Sequence, residues 1–427
     1  MGITRDLKGV RGAPDILPRE SSTWHRIEEV ARAALRRYGY AEIRTPVFER
    51  TEVFIRGIGE GTDIVEKEMY TFTDQGQESL TLRPEATAPV VRAYLEHQMA
   101  AQSALVKVYY LGPMFRRERP QSGRYRQFHQ IGVEAIGSHQ PAVDAEVIDL
   151  LWEILVEEFR IPGLELRLNS IGDVACRPEI RERILRYMRD RASQLCTDCQ
   201  GRLGRNPLRI LDCKQEGCQR LVAEAPKPLE SLCKACADHF AQVRSLLDLL
   251  KIPYTIDDRL VRGLDYYTRT AFEVVNPRLG AQNALAGGGR YDGLIEVMGG
   301  PSTPGIGFAI GLERVMASIP AEADAQTALE GVYVATIGQE AHRTGMLLLK
   351  ELRRRGVRGL IDLEGRSLKS QMRQANKERV RYCLILGEDE LAKGHATLRD
   401  MAKAEEQSIS LDRVVSRLLE LEAERTG

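Results

Sequence analysis

The stretch from Phe115 to Glu134, FRRERPQSGRYRQFHQIGVE, places Arg116, Arg117, Arg119, Arg124 and Arg126 within eleven residues. An apolar run from Val106 to Tyr110 precedes it, Pro-Gln-Ser-Gly interrupts it and a second apolar-polar run follows, an order that predicts a β-hairpin with a guanidinium-rich loop. A guanidinium is always charged and presents a planar fork of donors, so the cluster suits a polyphosphate or a nucleic-acid backbone, although a solvated charged hairpin has the same composition. Gln130 and Glu134 favour a site. They fall at even spacing on the returning strand, on the face opposite Ile131 and Val133. An amide and a carboxylate there, beside an arginine on the partner strand, would floor a pocket for a small zwitterion next to a triphosphate.

FRRE, a variable loop and RYRQFHQIGVE together resemble motif 2 of the class II aminoacyl-tRNA synthetases, in the form found in the histidyl-tRNA synthetase family. The rest of the chain bears on that resemblance in order. Trp24, Ile27, Val30, Ala34, Leu35 and Tyr38 recur at helical spacing, which predicts a helix over 22–38 with Ser21 or Ser22 as its cap. The helix hands over at Gly39 to AEIRTPVFE, whose Pro46 fits only an edge or interface strand. Long helix, strand and proline resemble motif 1, which in this class forms a homodimer interface; core packing explains the same pattern.

SLTLRPEATAPVVRAYLEH predicts a strand through Leu80 and Leu82, ended by Pro84, and a helix from Ala88 to His97 with Glu85 and Thr87 at its start. Both residues suit helix capping. Arg83, Pro84, Glu85 and Thr87 also match the family's RPE-x-T loop, which implies a grip on the α-amino group of the amino acid. RGLDYYTRTAFE, with Arg262, Asp265, Tyr266 and Tyr267, resembles the first histidine-specific string of the family, although a buried Arg262–Asp265 pair accounts for its charges equally well. ALAGGGRYDGL, with Tyr291, resembles the second, and GIGFAIGLERV, with Glu313 and Arg314, resembles motif 3. Gly305, Gly307 and Gly311 lack the spacing and the acidic partner of a dinucleotide-binding loop.

At 427 residues the chain is long enough for two or three domains. A helical insertion is expected over about 174–250, where strand patterning stops. Six cysteines fall inside it: Cys196, Cys199, Cys213, Cys218, Cys233 and Cys236. Two Cys-x-x-Cys pairs could chelate zinc, most simply with Cys196, Cys199, Cys233 and Cys236 around one ion. Six thiols nevertheless exceed one site's four ligands and finger spacing is absent, so no metal is the expectation and structural zinc the alternative. Beyond an Ala/Glu-rich link over 320–327, strands and helices alternate as in a small α/β domain. Between Arg353 and Arg381 stand ten Lys/Arg against three Asp/Glu, with Lys369, Arg373, Lys377 and Arg381 at four-residue spacing. Such a stripe is either a solvated face or a phosphate-binding one.

Lysine plus arginine balance aspartate plus glutamate at 61 each, so any nucleic-acid surface must be local. MGITRDLKGVRG has no apolar core for a signal peptide and no apolar run is long enough to span a bilayer, which predicts a cytoplasmic protein with reduced cysteines.

The resemblance extends over nearly the whole chain. It implies an α+β catalytic domain over 1–325, built on a mixed, mainly antiparallel sheet, and a C-terminal α/β anticodon-binding domain over 331–427. It implies a homodimer that activates L-histidine with ATP and Mg²⁺ and transfers it to tRNA(His). By residue, it implies Arg116 and Arg262 as catalytic cations. Glu85, Thr87, Gln130, Glu134, Tyr266, Tyr267 and Tyr291 would join them around histidine, and Arg116, Arg124 and Arg314 would hold ATP.

Overall fold

A computed structural model of the chain describes residues 8–119, 123–320 and 329–426. The extreme N-terminus, most of the Pro120–Gly123 turn and most of the 320–327 link lie outside the described residues. The chain divides into two compact units, 1–320 and 321–427.

In the first unit, the helix Pro18–Arg37 buries Trp24, Ile27, Ala31, Ala34 and Leu35. It begins earlier than the serines predict. Proline suits the first helical position because its missing N–H would have no partner there, so Pro18 opens the helix and Ser21 lies inside it, donating to the Pro18 carbonyl at 3.1 Å.

The strands are β1 (Ala41–Glu42), β2 (Phe48–Arg50), β3 (Tyr70–Thr73), β4 (Ser79–Leu82), β5 (Val106–Phe115), β6 (Gln127–Ile136), β7 (Glu165–Ser170), β8 (Thr255–Ile256), β9 (Thr268–Val275), β10 (Ala284–Arg290) and β11 (Gly305–Gly311). Eight form one sheet in the order β1-β5-β6-β11-β10-β9-β7-β8, and β2-β4-β3 form a second. Only the outermost pairs of the large sheet, β1 with β5 and β7 with β8, are parallel. It is the mixed, mainly antiparallel sheet expected of the catalytic domain. Pro46 falls between β1 and β2, outside both strands.

The predicted hairpin is β5–β6, in register from Val106 opposite Ile136 to Phe115 opposite Gln127. Strand alternation then fixes two environments. Ile131, Val133 and Ala135 join the core packed against the first helix and the helix Pro141–Trp152, which leaves Gln130 and Glu134 on the opposite face. There the sheet faces the insertion, made of the helices Arg177–Arg189, Thr197–Arg205, Glu216–Ala223 and Lys234–Leu249. The last of these is shared with the catalytic body, since Phe240, Val243 and Leu247 sit in the main core.

The second unit contains β12 (Val332–Thr336), β13 (Gly359–Ile361), β14 (Tyr382–Leu386), β15 (His395–Asp400) and β16 (Glu405–Ser410), in the order β13-β12-β14-β15-β16. Its first three strands are parallel and the last two complete it as an antiparallel hairpin. Lys369, Arg373 and Lys377 are exposed on the helix Leu368–Lys377. Arg381 does not continue that stripe: the helix has ended, and its guanidinium pairs with Asp400 at 2.7 Å.

Candidate active site

One cavity of about 240 Å³ is lined by Glu85, Thr87, Arg116, Arg124, Gln130, Glu134, Arg262, Tyr266, Tyr267, Tyr291 and Arg314. The structure thus brings every one of the sequence-derived site residues to a single place. Its two ends differ in chemistry.

At one end, the buried Glu134 carboxylate accepts from the Tyr291 hydroxyl at 2.6 Å and from the Thr87 hydroxyl at 2.7 Å. Burial pushes its pKa up to about 8, with Glu85 adding to the effect and the two hydroxyls opposing it. Gly307, directly across from it on β11, leaves the necessary room, because a Cβ there would overlap the carboxylate. Glu85 caps the helix Thr87–Glu96, accepting from the Thr87 and Ala88 N–H groups at 2.7 and 2.9 Å. Its carboxylate nonetheless lines the cavity, so capping and ligand binding are compatible, and burial raises its pKa as well. The Gln130 side-chain oxygen is buried with no hydrogen-bond partner, an acceptor facing a cavity without a donor. Tyr266 lies tilted against Tyr267 with ring centroids 4.6 Å apart and edge-on to Tyr291 at 5.9 Å, forming an aromatic wall. Arg83 takes another role. It donates to the carbonyls of Pro113 and Thr45 at 2.9 and 3.0 Å and anchors the loop that carries Glu85.

The other end is cationic. Arg116 donates to the Pro84 carbonyl at 2.9 Å and lies over the Phe128 ring, while Arg124 pairs with Glu118 at 3.0 Å. Arg314 is held by the carbonyls of Gly123 and Ala284; burial lowers its pKa, and Arg124 and Arg116 lower it further. A buried guanidinium whose charge its neighbours disfavour marks a site made for an anion. Arg262 does not pair with Asp265, as the composition of its segment allowed. Its partner is Glu273 at 2.9 Å, and Asp265 instead accepts from the Asn206 amide at 2.6 Å. A Cβ at Gly287 would fall on the Arg262 guanidinium, which explains a glycine at this point of β10. The Arg262 Nε is a buried donor with no partner.

Sequence reasoning passed over Tyr110, Glu118 and Glu273, which also line the cavity. Glu313, which the sequence places beside Arg314, has a partner that the sequence did not disclose: it accepts from the His129 backbone N–H at 2.9 Å and meets its ring Nδ1 at 3.0 Å, tying β6 to the helix that carries Arg314. Pairing of this kind across 184 residues leaves no periodic trace in a sequence. Gly305, Gly307 and Gly311 lie within β11, in mid-sheet, and form no phosphate loop.

The cysteines fall into two groups, not one. Cys196, Cys199, Cys213 and Cys218 form the first, and Asp173, Cys176, Cys233 and Cys236 the second. Cys196/Cys199 and Cys233/Cys236 therefore do not share an ion site: each pair opens a different helix and finds its further ligands in a different group. Both groups have donor sets that could bind a metal.

A mainly antiparallel sheet with an arginine hairpin, and a glycine strand running into an arginine-bearing helix around one cavity, is the catalytic architecture of the class II aminoacyl-tRNA synthetases. A family model for histidyl-tRNA synthetase matches residues 12–315, and one for an anticodon binding domain matches 331–421. The chain is 53% identical over 407 residues to the histidine–tRNA ligase of Desulforamulus reducens, covering 95% of this chain and 97% of that protein. It is 51% identical to that of Moorella thermoacetica, covering 95% and 96%. The crystal structure of apo Staphylococcus aureus histidyl-tRNA synthetase superposes with a TM-score of 0.82 at 39% identity, covering 96% of this chain and 99% of that one. A Bacillus halodurans structure described as an ATP phosphoribosyltransferase regulatory subunit/histidyl-tRNA synthetase shares the fold, with a TM-score of 0.65 at 20% identity, covering 90% and 99%. The chain belongs to the histidyl-tRNA synthetase family, and its activity is that of a histidine–tRNA ligase.

Proposed function

We propose that the cavity binds histidine at its carboxylate-tyrosine end and ATP at its guanidinium end, so that the amino-acid carboxylate meets the α-phosphate between them. The observation that carries this reading is the polarity of the pocket, with Glu134 fixed between Tyr291 and Thr87 at one pole and Arg116, Arg124, Arg262 and Arg314 at the other. Glu134 and Tyr267 each engage one imidazole nitrogen, so an analogue lacking either nitrogen would leave a buried polar group unpaired. Glu85, Thr87 and the unpartnered Gln130 oxygen receive the ammonium group. Tyr266 and Tyr291 wall the ring.

The carboxylate oxygen of histidine attacks the α-phosphorus, and the bond to the bridging oxygen breaks to release pyrophosphate. No side-chain nucleophile is needed, so catalysis rests on alignment and on cations placed where negative charge grows. Arg116 and Arg262 serve the α-phosphate and carboxylate, and Arg124 and Arg314 hold the nucleotide. Mg²⁺ bound with ATP would neutralise phosphate charge, and Glu118, Glu273 and Glu313 are the carboxylates of the cavity that would hold it. A ribose hydroxyl at the 3′ end of tRNA(His) then takes the histidyl group from the adenylate. Lys369, Arg373 and Lys377 suit contact with the tRNA backbone.

Exposed Val47, Phe48 and Phe72, at and beside the edges of the small sheet, favour a homodimer through that face. Among the described residues no helix is long and apolar enough to cross a membrane. ATP–pyrophosphate exchange measured with each amino acid tests the reading: exchange with histidine alone is expected, and exchange with another amino acid instead would overturn it.

A further inference from the structure

Three short helices of the insertion each bury few side chains of their own and share one apolar cluster with Leu195, Leu208, Ile210 and Leu211 of the connecting segments. Thr197–Arg205 buries only Cys199, Glu216–Ala223 only Cys218 and Val222, and Arg177–Arg189 only Ile180, Ile184 and Met188. Helices of eight to thirteen residues with such faces depend on what they pack against. Seven of the eight cysteines of the chain converge here, all of them free thiols, in groups whose ligand atoms lie within 4.8 Å of one another.

The spacing within each group is that of ligands around an ion. A tetrahedral zinc with Zn–S bonds of about 2.3 Å sets its sulfurs about 3.8 Å apart, whereas a disulfide requires about 2.05 Å. Cys196 and Cys213 Sγ are 3.9 Å apart, and Cys176 and Cys236 Sγ are 3.8 Å apart. Both Cys-x-x-Cys pairs have the same backbone: Cys196 and Cys233 each precede a helix, at φ −65° with ψ 160° and 159°. The second cysteine of each pair lies in the first turn, and its backbone N–H is directed at the sulfur of the first, Cys196 or Cys233, an arrangement that favours a thiolate there. The Cys196 N–H points at Cys218 Sγ at 3.3 Å. In the second group Arg269 binds Asp173 Oδ2 at 3.1 and 3.3 Å, leaving Oδ1 3.7 Å from Cys176 Sγ and 4.0 Å from Cys233 Sγ. An arginine that orients one oxygen of a carboxylate while the other faces three thiols is the usual outer support of a metal ligand.

We propose that the insertion holds two structural zinc ions, one on Cys196, Cys199, Cys213 and Cys218 and one on Asp173, Cys176, Cys233 and Cys236. Sulfur-rich tetrahedral donor sets select zinc among the common divalent ions, and a closed four-ligand shell leaves no position for substrate. The first ion braces the catalytic loop. Between Cys199 and Cys213, Arg202 pairs with Asp63 at 2.9 Å, the Asn206 amide donates to Asp265, and Arg209 donates to the Gly263 carbonyl at 2.7 Å, next to Arg262.

Elemental analysis of the full chain, purified without chelators or metal-affinity resin, tests this. About two zinc ions per chain are expected, falling to about one in Cys199→Ser/Cys218→Ser and in Cys176→Ser/Cys236→Ser. Should the variants not fold, a mercurial thiol titration of the wild-type protein with a metallochromic dye serves: zinc should be released in step with cysteine modification to the same total. Metal-free folded protein with all eight thiols titratable would overturn both sites, as would loss of two mass units per cysteine pair to disulfides. One zinc per chain overturns the two-ion proposal, and stoichiometric iron overturns the choice of zinc.

Discussion

Replacing Arg262 with glutamine separates a catalytic cation from a structural ion pair, because the structure sets the two costs far apart. The Arg262 and Glu273 side chains are 20% and 23% exposed, so their pair at 2.9 Å is partly shielded from water, and its loss should cost about 1–2 kcal/mol of stability. The Nε has no partner to strand. If the guanidinium instead stabilises charge that grows on the carboxylate and α-phosphate, its removal costs about 2.7–4 kcal/mol of barrier, or a rate loss of roughly a hundred- to a thousand-fold. The assay is single-turnover histidyl-adenylate formation at saturating ATP and histidine, beside thermal unfolding of the same preparation. The expected outcome is slow adenylation, transfer from preformed adenylate close to wild type, and a melting temperature lowered by a few degrees at most. Adenylation within a few-fold of wild type, or a loss of stability in proportion to every activity, would refute the catalytic role.

Glu134→Gln should raise the histidine requirement far more than the ATP requirement, as separate KM values would show. The same variant tests the buried carboxyl: a folded pKa raised to about 8 stabilises the histidine-free protein fully below its unfolded value of about 4.5, and that contribution is lost as pH rises through 8. The stability of wild type relative to the variant should therefore fall across this window by up to about 1.4 kcal/mol per pH unit; a flat difference argues against the shift. Arg290→Leu should destabilise the catalytic unit by about 3–5 kcal/mol in denaturant titrations, since Arg290 and Asp144 pair at 2.7 Å with both side chains fully buried. A loss under 1 kcal/mol would mean that Asp144 simply takes up a proton. Charge reversal at Lys369, Arg373 and Lys377 together should leave pyrophosphate exchange intact, weaken aminoacylation and flatten its salt dependence by about one unit of slope for each phosphate no longer neutralised. Equal damage to exchange would place these lysines and arginine outside tRNA recognition.

What the sequence made legible was local. The β5–β6 hairpin, the even-spaced Gln130 and Glu134, and the strand-proline-helix order around Glu85 all follow from periodicity and turn chemistry, and each reappears in place. What it hid was pairing over distance. Nothing near Arg262 identifies Glu273 across a strand rather than Asp265 three residues on, and the nearer carboxylate was the natural candidate. The cysteine spacing suggested one site from two similar pairs, whereas the fold brings Cys176 and Asp173 in from outside the obvious cluster and so makes two. Arg381 kept the four-residue rhythm of a helix that had already ended at Lys377.

The two poles of the pocket are also built to different stiffness. Glu134 comes from β6, Thr87 from the helix after β4 and Tyr291 from the end of β10, so no group at this end can shift without moving three elements far apart in the chain. Gly307 backs the carboxylate so closely that even a methyl group would displace it. The cations are held more loosely: Arg116 and Arg124 are 22% and 42% exposed, and they lean on one another's partner, Glu118. Rejecting a wrong amino acid requires donors and acceptors that cannot adapt to it, whereas phosphoryl transfer requires cations that remain with oxygens as pyrophosphate leaves. Enlarging the rigid pole should therefore lose histidine without gaining another amino acid, because the polar atoms that define it would remain fixed and unpaired.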